Sequence, residues 1–223
     1  MSKFWSPGVS ELTPYTPGEQ PRERLIKLNT NENPYPPAPG VEQVLRDYSI
    51  DHLRLYPDPD SRALREALAK EHGVEVEQVF VGNGSDEVLA LAFQAFFRQP
   101  LPLSMPAISY SFYPVYCRLY GVDYRTVALG DEWQVPLEAF DPQSGGIIFA
   151  NPNAPTGHGH GRDTIAALLE RVTECVVLVD EAYVDFGGES AVPLVERYPN
   201  LLVTGTFSKS RSLAGLRLGY AIG

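Results

Sequence analysis

Cysteine is scarce in this sequence, which contains only Cys117 and Cys175 among its 223 residues. Two isolated cysteines are too few for a disulfide framework or a zinc site, so the sequence excludes both. Cys175 begins an apolar segment, and we expect its thiol to pack in the core. We expect no metal site in this chain.

Long hydrophobic runs are also missing, because no stretch reaches the roughly 18 apolar residues that a transmembrane helix needs. The first twenty residues, MSKFWSPGVSELTPYTPGEQ, contain three prolines and no apolar segment of the kind found in secretory signals. We therefore expect a cytoplasmic protein with no membrane partner.

Basic residues are outnumbered, since 18 Lys and Arg face 28 Asp and Glu and the formal net charge is −10. The sequence pI is about 4.9. A field of this sign repels phosphates at long range, which argues against nucleic acid as a partner. It is still compatible with a local phosphate site made of backbone amides and one or two cations.

The chain divides into two parts by composition. Residues 1–40 contain eight prolines and little periodicity, so they predict an extended N-terminal arm. Residues 41–223 alternate between strand and helix patterns, and the hydrophobic fraction of 43% is enough for a core. We predict helices within 61–73, 85–99 and 162–174, and strands within 78–84, 122–129, 145–153, 175–183, 200–210 and 216–223.

Continuous apolar runs such as GIIF and VVLV, separated by helices, predict an α/β fold with a mostly parallel sheet covered by helices on both faces. Ligands of such sheets bind beyond the carboxyl ends of the strands. Polar clusters follow four of the predicted strands, and they are GNGSDE, NPNAPTG, DEAY and SKSRSLAGLR. We therefore expect a ligand site at this edge.

The segment FSKSRSLAGLRLG combines a lysine with possible phosphate ligands. Lys209 follows an apolar strand, and a desolvated lysine amine in such a place is suited to a Schiff base. Ser208 and Arg217 would supply a hydroxyl and a charged donor to a phosphate, and the glycine turn at 82–87 would supply amides. The alternative is a solvated loop that happens to contain cations.

Two further clusters carry side chains that a ligand ring would use. Asp180 follows VVLV directly, so its carboxylate needs a cationic partner or several donors. A pyridinium nitrogen would serve, because a protonated ring is an electron sink, although a structural ion pair is the alternative. Tyr183 would donate to a ring oxygen or simply pack. The asparagines of NPNAPTG would bind a ligand oxygen or only shape the turn.

Taken together, these motifs resemble the large domain of a fold-type I aminotransferase that uses pyridoxal 5'-phosphate. The segments KLNTNENPYPPAP, LYPD, SYSFYPVY and DEAYVDF are similar to those of the histidinol-phosphate aminotransferases, and the resemblance covers essentially the whole chain. It implies a homodimer. The family also has a C-terminal small domain with an arginine for the substrate carboxylate, and we expect that domain to be missing here because LRLGYAIG stops within a strand.

The resemblance assigns roles by position. It makes Lys209 the lysine that binds the cofactor covalently and shuttles the proton, with Asp180 on the ring nitrogen and Tyr183 on the ring hydroxyl. The phosphate ligands would be Ser85, Asp86, Ser208 and Arg217; Tyr110 would stack on the ring, and Tyr56 would reach the phosphate of a partner subunit. The family usually has asparagine where this chain has Ala154, and Asn153 is the substitute that we expect.

The function implied is transfer of an amino group between histidinol phosphate and 2-oxoglutarate, in histidine biosynthesis. One alternative is an aminotransferase of the same fold that acts on aromatic amino acids, and another is a fragment without catalytic activity. A nucleotide-binding domain is disfavoured, because the turn at 82–87 lacks the G-x-G-x-x-G spacing.

Overall fold

The structure is a computed structural model that describes residues 3–5, 9, 22, 23 and 25–223. Much of the predicted N-terminal arm lies outside these residues. The helices are α1 (Pro39–Asp47), α2 (Arg62–His72), α3 (Ser85–Phe96), α4 (Tyr113–Tyr120) and α5 (Arg162–Arg171). The strands are β1 (Val79–Asn83), β2 (Leu103–Pro106), β3 (Tyr124–Val127), β4 (Gly146–Ala150), β5 (Val177–Asp180), β6 (Leu201–Thr206) and β7 (Leu218–Ile222).

The seven strands form one sheet in the order β1-β7-β6-β5-β4-β2-β3. The neighbours from β6 to β3 are all parallel, which confirms the expected mostly parallel sheet. Strand β7 is antiparallel to both β6 and β1. The chain returns from β6 to β7 through a loop and a single 3-10 turn at Ala214–Leu216, without the helical crossover that a parallel pair requires.

Helices cover both faces of the sheet. Along β4, Ile147 and Phe149 pack in the same cluster as α2 and α5, whereas Ile148 packs with α3 and α4. Strand β5 follows the same rule, because successive side chains of a strand point to opposite faces. The central strands are therefore buried on both sides, and their polar ends are left at the edge.

Most of the predicted elements are confirmed, with corrections at their ends. Helix α2 lies within the predicted range 61–73 and is followed by Gly73, which has a φ of 69°. Ser61 precedes the helix without a side-chain cap hydrogen bond, and the Asp58 carboxylate accepts the Arg62 amide at 2.8 Å. Cys175 lies two residues before β5 and packs against the main core, as expected, although it is only half-buried.

Helices α1 and α4 and strand β2 were not predicted. Strand β2 is only four residues long and ends in Pro106, and four of the eight residues of α4 are Tyr or Val, which are weak helix formers. Within the described residues, no helix has the length and apolar character needed to cross a membrane. The same part of the chain holds no group of three or more His, Cys, Asp or Glu that is placed to hold a metal ion.

Candidate active site

A cavity of about 240 Å³ lies where the carboxyl ends of β4, β5 and β6 meet the start of α3. Its wall includes eight of the ten residues proposed from the sequence, namely Ser85, Asp86, Tyr110, Asp180, Tyr183, Ser208, Lys209 and Arg217. Residues separated by more than a hundred positions meet there because parallel strands end at one edge of the sheet.

Asp180 is the last residue of β5 and only 4% of its surface is exposed. Its Oδ2 accepts a hydrogen bond from Tyr113 Oη at 2.8 Å, and its Oδ1 accepts one from the Ala182 amide at 3.2 Å. Burial raises the pKa of the carboxyl above its ordinary value, because the charged form loses its hydration. The described residues place no cation in hydrogen-bond contact with it, so it is available to a cationic ligand group.

Lys209 follows β6 and is half-buried. Its Nζ donates to the Thr30 carbonyl at 3.2 Å and lies 5.5 Å from the centre of the Tyr183 ring. No carboxylate forms an ion pair with it among the described residues. A carbonyl and a ring face hold the amine weakly, and this arrangement leaves it accessible for a carbonyl compound.

The glycine turn before α3 approaches β7 closely. An added Cβ at Gly219 would lie 2.3 Å from the Ser85 backbone nitrogen, and one at Gly84 would meet the Arg217 guanidinium at the same distance. Gly84 also has a φ of 82°, which disfavours any other residue. The turn brings the first amides of α3, at Ser85 and Asp86, to the cavity. Such amides lack partners within the helix and attract anions.

Both carboxylate oxygens of Asp86 have a partner, which reduces the repulsion that its charge would exert on an anion. Its Oδ2 lies 3.0 Å from Arg217 Nη2, and its Oδ1 accepts a hydrogen bond from Tyr110 Oη at 2.9 Å. Burial and the Asp86 charge raise the pKa of Tyr110 well above its ordinary value, so the phenol remains a donor. One carboxylate therefore contacts both the arginine and the aromatic ring that line the cavity beside the start of α3.

Asn153 and Tyr56 are the two proposed residues that do not line the cavity. The Asn153 side chain is buried and donates to the Ile108 carbonyl at 3.1 Å and to Thr156 at 3.2 Å. It also accepts from Ser109 at 2.8 Å, so its side chain is bonded to the segment at 108–109 and to the turn, and Ala154 lines the cavity. Tyr56 is fully exposed, and a role toward a partner subunit stays a prediction.

The sequence did not indicate that residues 30–33 close one side of the cavity. Asn31 Nδ2 donates to Tyr183 Oη at 3.0 Å, and Asn33 Nδ2 donates to the Lys209 carbonyl at 3.1 Å. Thr30 and Glu32 lie in the wall. The only signal was the polar run TNEN within KLNTNENPYPPAP, because contacts across some 150 residues leave no local pattern.

The cavity brings together three kinds of group. They are an accessible primary amine, a buried carboxylate, and several hydrogen-bond donors that can bind an anion. An amine there can bind an aldehyde covalently, and the carboxylate can hold a protonated ring nitrogen. The amides of α3 with Arg217 can bind a phosphate.

Comparisons with known proteins agree with this chemistry. The family described as aminotransferase class I and II matches residues 23–223. A histidinol-phosphate aminotransferase of Chromohalobacter salexigens is 84% identical over 223 residues, and one of Pseudomonas syringae pv. syringae is 59% identical over 224. Both matches cover 100% of this chain and 64% of the relative, so the chain spans just under two thirds of their length.

Among solved structures, the fold is similar to that of histidinol-phosphate aminotransferase from Sinorhizobium meliloti in complex with pyridoxal-5'-phosphate. The TM-score is 0.86 at 25% identity, and the match covers 100% of this chain and 64% of that one. The α/β fold with helices on both faces of the sheet is therefore that of fold-type I aminotransferases.

Proposed function

Because the chain belongs to the aminotransferase class I and II family, we propose that it binds pyridoxal 5'-phosphate and transfers an amino group between histidinol phosphate and 2-oxoglutarate. The observation that carries the proposal is the meeting of Lys209, Asp180 and Arg217 around one cavity. The 84% identity to a histidinol-phosphate aminotransferase supports the choice of substrate.

The residues present fit the cofactor by the chemistry of their donors. The phosphate matches the Ser85 and Asp86 amides together with Ser208 and Arg217, all of which line the cavity. The ring nitrogen matches Asp180, which is buried and has no cationic partner among the described residues. Tyr110 and Ala182 line the cavity with it and offer the ring an aromatic face and an apolar contact.

When bound, the cofactor would supply an electron sink for the substrate carbon that loses its proton. Asp180 would offer its negative charge to the ring nitrogen and so favour the protonated ring. Lys209 would hold the cofactor aldehyde through Nζ and, as a free amine, would accept and return the proton at the substrate carbon. Tyr183, whose Oη accepts a hydrogen bond from Asn31, would donate to the ring hydroxyl.

We also propose that the functional unit is a cytoplasmic homodimer. Each subunit would consist of an N-terminal arm at 1–40 and a cofactor-binding domain at 41–223. Support for the dimer comes from α1 and the turn after it. No residue of α1 is buried, and several large apolar side chains in this segment are exposed. These are Val44, Leu45, Ile50, Leu53 and Leu55, each at least 54% exposed. Exposed large apolar side chains concentrated in one segment are typical of a protein interface, and Tyr56 follows that segment directly in the sequence.

The test is an assay of glutamate formation from histidinol phosphate and 2-oxoglutarate in the presence of pyridoxal phosphate. It is run with this chain and with a full-length chimera, in which the rest of the Chromohalobacter salexigens relative is joined to it. We expect glutamate from histidinol phosphate and far less from phenylalanine or tyrosine. No glutamate from either protein, or a preference for the aromatic donors, would overturn the proposal.

A further inference from the structure

Asp180 makes its shorter side-chain hydrogen bond with a residue behind the cavity wall. Tyr113, at the start of α4, donates from Oη to Asp180 Oδ2 at 2.8 Å and is itself fully buried. The other carboxylate oxygen, Oδ1, accepts a hydrogen bond from the Ala182 amide at 3.2 Å. The carboxylate is thus held between α4 and its own strand end.

The packing around Tyr113 fixes its ring. The rings of Tyr113 and Tyr110 meet edge to face with centres 5.5 Å apart, and the Tyr113 amide donates to the Tyr110 carbonyl at 3.2 Å. A buried hydroxyl that turned away from Asp180 would lose its partner, which is costly in a core. These contacts hold the Tyr113 hydroxyl in its hydrogen bond with Asp180.

The surroundings of Asp180 shift the pKa of its carboxyl in both directions. Burial raises its pKa most strongly, and the Asp86 charge at the start of α3 raises it further. The Tyr113 hydroxyl is the largest influence that lowers the pKa, ahead of the Ala182 amide and of Thr204 on β6. Burial and the Asp180 charge raise the pKa of Tyr113 itself, so it donates across the whole working range of pH.

We propose that Tyr113 is a positioning residue, which keeps the Asp180 carboxylate charged and aimed into the cavity so that it can pair with a pyridinium nitrogen. The inference rests on the proposed function for its purpose, but the effect on Asp180 is a property of the protein alone. A hydroxyl that served only packing would leave the titration of Asp180 unchanged when removed.

The direct test follows the side-chain carboxyl carbons of 13C-labelled aspartate by NMR as the pH is varied, without cofactor. The Asp180 signal is assigned by its loss in Asp180→Asn. Tyr113→Phe is expected to move the Asp180 titration midpoint to higher pH. The control is Tyr198→Phe, because Tyr198 is also buried and bonds a carboxylate, Glu170, at 3.1 Å, but lies away from the cavity. An unchanged midpoint in Tyr113→Phe, or an equal shift in the control, overturns the inference.

A second test uses the full-length chimera loaded with pyridoxal phosphate. Tyr113→Phe should lower kcat by roughly 10- to 100-fold, the range for loss of a hydrogen bond to a charged group, and leave KM for histidinol phosphate within about threefold. Tyr198→Phe should leave both constants near those of the wild type. An inactive wild-type chimera would defeat the proposed function, whereas the NMR titration would still decide the role of Tyr113.

Discussion

Arg217 Nη2 lies 3.0 Å from Asp86 Oδ2, and this ion pair joins the start of β7 to the start of α3 in the wall of the cavity. Both side chains are about half exposed, so the pair adds little to stability. Its effect is on geometry, because it keeps the guanidinium beside the amides of Ser85 and Asp86.

Arg217→Gln is expected to weaken binding of pyridoxal phosphate by roughly 10- to 100-fold, since the lost contacts to phosphate are charge-assisted. Pyridoxal, which lacks the phosphate, should bind the variant almost as well as it binds the wild type. Titrations of both compounds, followed by absorbance, provide the comparison. Equal losses for the two compounds would show that Arg217 does not bind the phosphate.

Asp180→Asn in the full-length chimera should slow the proton-transfer step by at least about 100-fold, since a neutral amide cannot hold the ring nitrogen protonated. Cofactor affinity should change much less. Single-turnover measurements with preloaded protein separate the two effects. A rate within about tenfold of the wild type, roughly 1.4 kcal/mol of barrier, would count against this role.

Gly219→Ala should destabilise the protein by about 1–3 kcal/mol, because the new methyl group would overlap the backbone of Gly84 and Ser85. The turn that presents the α3 amides would shift, and phosphate affinity would fall with it. The control is Gly40→Ala in α1, where an added Cβ meets nothing within 4 Å. Urea unfolding should show a loss for the first variant and none for the second.

Glu181 predicts a pH dependence of stability. Burial raises its pKa from 4.5 to about 7, although the Ala191 amide, at 2.5 Å, and Ser190 partly oppose this. The folded protein therefore keeps a proton that the unfolded chain has released, so the contribution of Glu181 to stability is full below pH 4.5 and is lost as the pH rises through 7.

Glu181→Gln removes this titration. Relative to the wild type, the variant should therefore be more stable at pH 8 than at pH 4, by roughly 2–3 kcal/mol in the change of unfolding free energy. Denaturant unfolding at both pH values measures the difference, and Glu170→Gln on the exposed side of α5 serves as the control. A difference that is the same at both pH values would rule out a buried, protonated Glu181.

The sequence predicted the central strands of the sheet, because VVLV and GIIF carry no polar residue and such runs are typical of strands that are buried on both faces. It also indicated Asp180, which ends the strand that contains VVLV, and Lys209, which lies three residues after β6, and both line the cavity. It failed where contacts are distant in sequence. Nothing in SYSFYPVY indicated that Tyr113 bonds Asp180, and nothing local indicated that the segment at 30–33 covers Lys209. Nothing local indicated that the Asn153 side chain bonds Ile108 and Ser109, so its position outside the cavity wall was not foreseen, and its role toward the ring hydroxyl stays a prediction.

The central claim is that Lys209 is the residue that binds pyridoxal phosphate covalently. The most direct measurement adds the cofactor, reduces the protein with borohydride and maps the modified peptide by mass spectrometry. We predict a pyridoxyl group on Lys209, none in Lys209→Ala, and unchanged labelling in Lys70→Ala, where the lysine is exposed on α2. A pyridoxyl group on Lys27 or Lys70 of the wild type, or undiminished labelling of Lys209→Ala, would contradict the account.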